Sequence, residues 1–547
     1  MPPFVPLVER IVDALLASDP ALASSVGEHG SDDRLPDWSA DAVTGRVTML
    51  REAAHALSEV EAEELPTPER VDHAVLSALV DRGIFELTEV RSHEWNPLVH
   101  NPAHLLNELL IRPFAPADVR LTSLAGRLSA VPDGLATARA LLGDMPRIHV
   151  ETAAGQYDGA AALLRNQLPT LLDEEPGLRG TVGPVAEVAV RELTGFADWL
   201  RTGLRDDAGP GRDPRLGRRL WEARLWHTLD TELSAREVLD RAWANLERVT
   251  EEIRAAAVEL VGGPASDDAV RQALRLLADE HPDETSIVSL AKATLGEATD
   301  FVADTELVSL VDDPCVIKEM PEHDRGVAVA YCDSPGPLET ADVPTYYCIA
   351  PAPADWPAAR IESFYREYNN HMIRNLTVHE AMPGHFLQLA HARRYRGSSR
   401  VRALGHSGPF VEGWAVYAEQ LMAERGFGGL AVRLQQLKMQ LRMTINAILD
   451  QLTHCEGMAE ADAMELMTGR GFQEEGEAAG KWRRALLTST QLSTYFVGYT
   501  QVAEVAASRP SGVPVREWHD AMLAHGSPPP RHLPALLGLD GADHNAW

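Results

Sequence analysis

Cysteine is scarce in this chain: four residues in 547, at Cys315, Cys332, Cys348 and Cys455, none in a CxxC spacing. Neither a disulfide framework nor a cysteine-ligated zinc site has support, and buried thiols are expected instead. Long apolar runs are also missing, since no stretch approaches the roughly 20 uninterrupted residues that cross a bilayer. The N-terminus, MPPFVPLVERIVDALLASDP, has no basic leader and meets Glu9 and Asp13 before any apolar run long enough for secretion. It reads as an amphipathic helix, and the expected location is the cytoplasm. Positive charge is in deficit: Lys plus Arg number 50 against 81 Asp plus Glu, a net charge of -31. Such a surface repels phosphate backbones and anionic lipid, so neither nucleic acid nor membrane is an expected partner, and the acidity serves solubility.

Two further signatures fall short. Gly476-Glu477-Ala478-Ala479-Gly480-Lys481-Trp482 is one residue short of a phosphate-binding loop and lacks the Ser or Thr that would hold magnesium. Gly405-His406-Ser407-Gly408 lacks the spacing of a nucleophile elbow. No fixed repeat period suggests a solenoid.

What is present is a globular composition, 45% hydrophobic and 24% charged, which supports a large core. Residues 1–300 carry Ala, Leu, Glu and Arg at helical spacing, punctuated by breakers such as Asp19-Pro20, the segment Gly209 to Pro214, and Gly262-Gly263-Pro264. They predict stacked helices. Residues 301–547 form the expected catalytic region, with both parts belonging to one continuous fold. Between Cys315 and Pro351 the runs VAVAYCDS and TYYCIAP predict a small β element around a loop, and the edge at Tyr346 and Tyr347 could pair with an extended peptide. Helical text resumes with Asp355 as an N-cap and Pro357 in the first turn. The fold class is mainly α.

The chemistry gathers after residue 340. His379-Glu380-Ala381-Met382-Pro383-Gly384-His385 begins like the zinc signature HExxH, but its second histidine arrives six residues on. In a straight helix such residues are rotated by about 240° and separated by about 9 Å, too far to share one ion. Pro383 and Gly384 lie between them, a pair suited to breaking the helix so that His385 swings back. His379 and His385 are then metal ligands, with Glu380 the base for a metal-activated water. Further on, Glu412 and Glu419 in EGWAVYAE stand seven residues apart, nearly on one helical face beside an apolar stripe, where buried carboxylates need a cation. Glu412 is the expected third ligand, and Glu419 is either an outer acceptor bracing a ligand or the alternative ligand. The plainer reading of both is a solvated acidic face.

Four other residue groups invite a role. Asp450 and His454, four apart, could support the metal or bind substrate, or form an ordinary structural pair. Tyr495 could aim its phenol at a developing oxyanion, or simply pack. His371 reads as structural. The tail histidines His519, His525 and His532 have no metal spacing but could approach substrate.

HEAMPGHF followed by EGWAVYAE resembles the bacterial family known as domain of unknown function 885. The likeness extends through SDDRLPDWS near the start, Phe301 to Pro321, Asp450-Gln451-Leu452-Thr453-His454, and Gln491 to Gly498. Two departures stand out: Phe386 occupies a place where that family often has a second histidine, and Ser489 and Thr490 replace a frequent proline. The resemblance implies a large helical metallopeptidase-like fold with a central cleft, a zinc cofactor, and hydrolysis of peptide-like amide bonds. The alternatives are a specialised-metabolism enzyme acting on a small amide-containing molecule, and a catalytically silent binding protein.

Overall fold

The computed structural model describes residues 4–206, 211–320, 329–354 and 356–539. The fold is mainly α with one small sheet. No described helix is long and apolar enough to cross a membrane. No disulfide joins the four cysteines.

The chain divides into two compact units. The first comprises Met1–Pro214 with two short segments from later in the chain, Pro335–Val343 and Gly397–Gly405. The N-terminal stretch forms the expected amphipathic helix, Phe4–Ser18, which buries Leu7, Val8, Ile11, Val12, Leu15 and Leu16 along one face. The breaker at Asp19-Pro20 starts a new helix, with Asp19 accepting from the Ala21 and Leu22 amides and Pro20 in the first turn, where its missing donor costs nothing. The core of this unit lies among the helices Ala117–Leu141, Arg147–Glu174 and Arg179–Asp206.

The two later segments are held in the first unit by charge pairs. Arg402 donates through Nε to Asp72 Oδ1 at 2.6 Å, both side chains being buried. His29 bridges Asp32 at 2.8 Å and Glu339 at 2.9 Å. A charged pair withdrawn from water persists only when its partners are close and hydrogen-bonded, which makes these contacts specific anchors.

The second unit comprises Arg215–Ser334, Pro344–Arg396 and His406–Trp547. Helices between residues 218 and 305, which the composition groups with the first 300 residues, pack within this unit. Its sheet has the order β1-β3-β2, with β1 Cys315–Glu319, β2 Ala330–Asp333 and β3 Thr345–Ile349. β1 runs parallel to β3 and β2 antiparallel to it. The VAVAYCDS and TYYCIAP runs thus supply β2 and β3, while β1 begins at Cys315, just ahead of both. After the sheet, Pro357 is itself the N-cap of the helix Ala358–Glu367, which therefore starts two residues later than a cap at Asp355 would place it. The expected cap, Asp355, lies outside the described residues.

Candidate metal centre

Asn369 starts the key helix. Its side chain accepts from the His371 and Met372 amides, and the helix runs from Asn370 to Glu380. It stops there, and the next helix begins at His385. Between them the chain doubles back, with the Gly384 amide donating to Val378 O at 3.0 Å. Only glycine fits: a Cβ at Gly384 would run into the carbonyl oxygens of Val378 and His379. The fully buried Trp414 fixes the turn from the opposite side, donating through Nε1 to Pro383 O at 2.8 Å.

This turn brings the imidazoles of His379 and His385 edge to face, with ring centroids 4.6 Å apart. The helix Gly408–Glu424 supplies the third group. Ser407 caps it by accepting from the Phe410 amide, and Glu412 and Glu419 fall two turns apart. Glu412 Oε2 lies 3.5 Å from His379 Nε2 and 3.5 Å from His385 Nε2. Around a tetrahedral ion with bonds of about 2.0–2.1 Å, ligand atoms stand about 3.4 Å apart. The spacing therefore suits a shared ion, and Glu412 Oε2 is buried without a hydrogen-bond partner among the described residues.

Glu419 takes the other side of the same ring. Its Oε1 lies 2.7 Å from His379 Nδ1, and Asn375, one turn before His379, donates to its Oε2. This bond places the imidazole proton on Nδ1 and leaves the Nε2 lone pair facing Glu412. His385 has no such brace: its Nδ1 is buried without a hydrogen-bond partner among the described residues.

Glu380 completes the centre. It is buried, and among the described residues its carboxylate makes no hydrogen bond or ion pair. Burial raises its pKa and is only partly offset by His379 and His385, while Glu412 and Glu419 reinforce the rise. Burial would likewise raise Glu412, but the two imidazoles overcome it and hold this carboxyl below the ordinary range. For His379 burial disfavours the charged ring, and the nearby carboxylates of Glu412 and Glu419 outweigh it, so its pKa is raised. Three carboxylates against two imidazoles leave the cluster negative even with both rings protonated, a charge that a divalent cation neutralises.

Other expected residues are committed elsewhere. Asp450 accepts from Trp221 Nε1, the Thr490 and Ser493 amides and Ser493 Oγ, at 2.8 to 3.1 Å. His454 accepts at Nδ1 from the Leu216 amide, and its Nε2 faces the carbonyls of Ala485 and Thr488. Both tie distant backbone segments together rather than supporting the metal centre, and their own separation is 3.8 Å. The Tyr495 hydroxyl accepts from Arg484 Nη2 at 3.3 Å, and its ring packs against a hydrophobic core cluster. His519 bonds to Leu307 O and Tyr417, and His371 lies near Glu280.

One neighbour of the centre escaped the sequence reading. His406 is exposed at the residue level, and desolvation, then the charge of His385, lower its pKa to about 4. Its signal was present in Gly405-His406-Ser407-Gly408, which fits no catalytic spacing.

No curated protein matches the chain. Among solved structures, it superposes with a TM-score of 0.82 on a protein of Shewanella oneidensis described as a "putative lipoprotein of unknown function", at 27% identity over 99% of this chain and 100% of that one. A protein of Colwellia psychrerythraea described as a "putative lipoprotein" shares the fold with a TM-score of 0.79, at 15% identity over 98% of each chain. The family model for bacterial proteins of unknown function DUF885 matches residues 20–537, and the chain belongs to that family.

Proposed function

We propose that this protein is a zinc-dependent hydrolase of peptide-like amide bonds. The observation that carries the reading is the convergence of His379, His385 and Glu412 on one point, beside a buried Glu380 that no other residue occupies.

His379 Nε2, His385 Nε2 and Glu412 Oε2 would hold the ion; two imidazoles and one carboxylate suit zinc better than magnesium or calcium. A divalent ion there supplies Lewis acidity, polarising a carbonyl oxygen and lowering the pKa of water. Glu380 follows His379 directly and so points about 100° away around the helix, off the ligand set but beside it. Its burial raises its affinity for a proton, as a general base requires: the carboxylate takes a proton from the attacking water and returns it to the departing amine. Glu419 keeps the His379 ring oriented throughout.

The test begins with elemental analysis of protein purified without added zinc, followed by a hydrolysis screen over short peptides and acylated amino acids. Zinc in the protein and cleavage of an amide support the proposal. Absence of any transition metal, with no uptake on zinc titration, contradicts it.

A further inference from the structure

The helix Gly429–Gln451 is buried along most of its length, yet Gln435, Lys438, Arg442 and Asn446 recur on it at spacings of three and four and so share one face. A second polar row lies on the helix Glu475–Leu487, where Glu477, Lys481 and Arg484 are spaced by four and three. Arg442 Nη2 joins the rows by donating to Glu477 Oε2 at 2.6 Å, and Tyr368 donates to Glu477 Oε1 at 3.0 Å. Lys438 is matched by both oxygens of Glu367, at 2.9 and 2.7 Å. Arg484 donates to Gln491 Oε1 at 2.8 Å and to the Tyr495 hydroxyl, both neutral acceptors.

Lys481 is left over. It is only 8% exposed, and among the described residues its ammonium makes no hydrogen bond or ion pair. The charges it senses are Arg442 and Arg484, which repel it, and Glu477, which Arg442 and Tyr368 already engage. Three cations, Lys438, Arg442 and Arg484, and the amine of Lys481, whose hold on its proton burial and then the two arginines weaken, thus face two carboxylates, Glu367 and Glu477, in a chain whose acidic residues outnumber its basic ones by 81 to 50. A desolvated cation without a counter-ion is costly, and an anion bound beside it removes the cost.

Arg484 is bonded to Tyr495 on the helix Thr494–Ala507, which packs against Gly408–Glu424, the helix that carries Glu412. Tyr495, bonded to Arg484, stands one turn before Gly498, and Gly498 lies so close to Gly413 that a Cβ on Gly413 would meet its backbone. Gly413 is the neighbour of Glu412.

We propose that this cation-rich cluster is an anion-binding subsite that receives the free C-terminal carboxylate of a peptide-like substrate, with Lys481 and Arg484 as its donors. It rests on the hydrolase reading for its substrate class. The Gly476–Trp482 run that fell short of a phosphate loop is here ordinary helix, with Lys481 facing an interior polar row rather than a cradle of backbone amides.

The test titrates N-acetyl-alanyl-alanine, its C-terminal amide and inorganic phosphate into the full-length protein, dialysed against a chelator so that hydrolysis cannot intervene. The acid is expected to bind at least about tenfold more tightly than the amide, the effect of one charge-assisted contact. Lys481→Met, an apolar replacement of similar length, should fold as the parent does by circular dichroism and erase the preference. Arg484→Gln should reduce it. Equal binding of acid and amide by the parent protein, a preference that survives in Lys481→Met, or phosphate binding tighter than the acid would each overturn the carboxylate assignment. If the acid binds as expected but is never cleaved once zinc is restored, the subsite stands and the hydrolase reading fails.

Discussion

The His379 ring lies between two carboxylates of one helix: Nδ1 is 2.7 Å from Glu419 Oε1 and Nε2 is 3.5 Å from Glu412 Oε2. The short contact is a hydrogen bond, whereas the long one has the spacing of two ligands around an ion. The two glutamates should therefore differ in effect. Glu412→Ala should abolish metal binding, and Glu419→Ala should weaken it by about 10–100-fold. Competition against a chelator of known affinity checks the ranking, and the reverse order would exchange their roles.

Zinc should also stabilise the fold, because it binds a preformed cluster of buried charge that the unfolded chain lacks. About one zinc per chain is expected, with the thermal midpoint rising on titration and about 2.7 kcal/mol gained at a free concentration of 100 Kd. Calorimetry with and without chelator measures this. A midpoint indifferent to zinc would contradict it.

At Gly384, an added methyl would collide with the carbonyl oxygens of Val378 and His379. Gly384→Ala should cost about 1–3 kcal/mol, as overpacking does, and lower zinc affinity by opening the turn that returns His385. Denaturant unfolding and zinc titration of the variant test both parts; a variant with parental stability and affinity would show that the close approach is dispensable.

The first unit carries a pH-sensitive clasp. Burial of His29 lowers its pKa, but the bonds to Asp32 and Glu339 overcome this and raise it to about 9. Since the folded value exceeds the unfolded one of about 6.5, the stabilisation is fully present below pH 6.5 and is lost as pH rises through about 9. Thermal midpoints measured from pH 6 to 10 should fall more steeply for the parent than for His29→Gln. Parallel profiles would contradict the assignment.

The legible part of the site was local. The distance from His379 to His385 demanded a break, and proline and glycine stood where the break had to be. Glu412 and Glu419 share a face because seven residues make two turns, a fact contained in eight consecutive letters. Their division of labour was not legible, since it depends on Asn375 and His379 meeting Glu419 from another helix. For Asp450 and His454 the spacing showed that they lie near each other, but not that their partners Trp221 and Leu216 lie more than 200 residues earlier. The anionic excess of the whole chain likewise hid the local surplus of basic groups around Lys481, which forms only when side chains from two helices meet, as Arg442 and Glu477 do. The β element was visible in its aromatic and β-branched runs, but β1 had to be found through its parallel pairing with β3.

The central claim is that Glu380 moves the proton and does not hold the metal. Glu380→Gln keeps the size of the side chain and removes the base, so the most direct measurement is turnover and zinc content of this variant on one preparation. Turnover on an amide substrate should fall by about 10²–10⁴-fold while zinc occupancy stays near that of the parent. Full turnover in the variant, or loss of zinc from a protein that remains folded, would contradict the account.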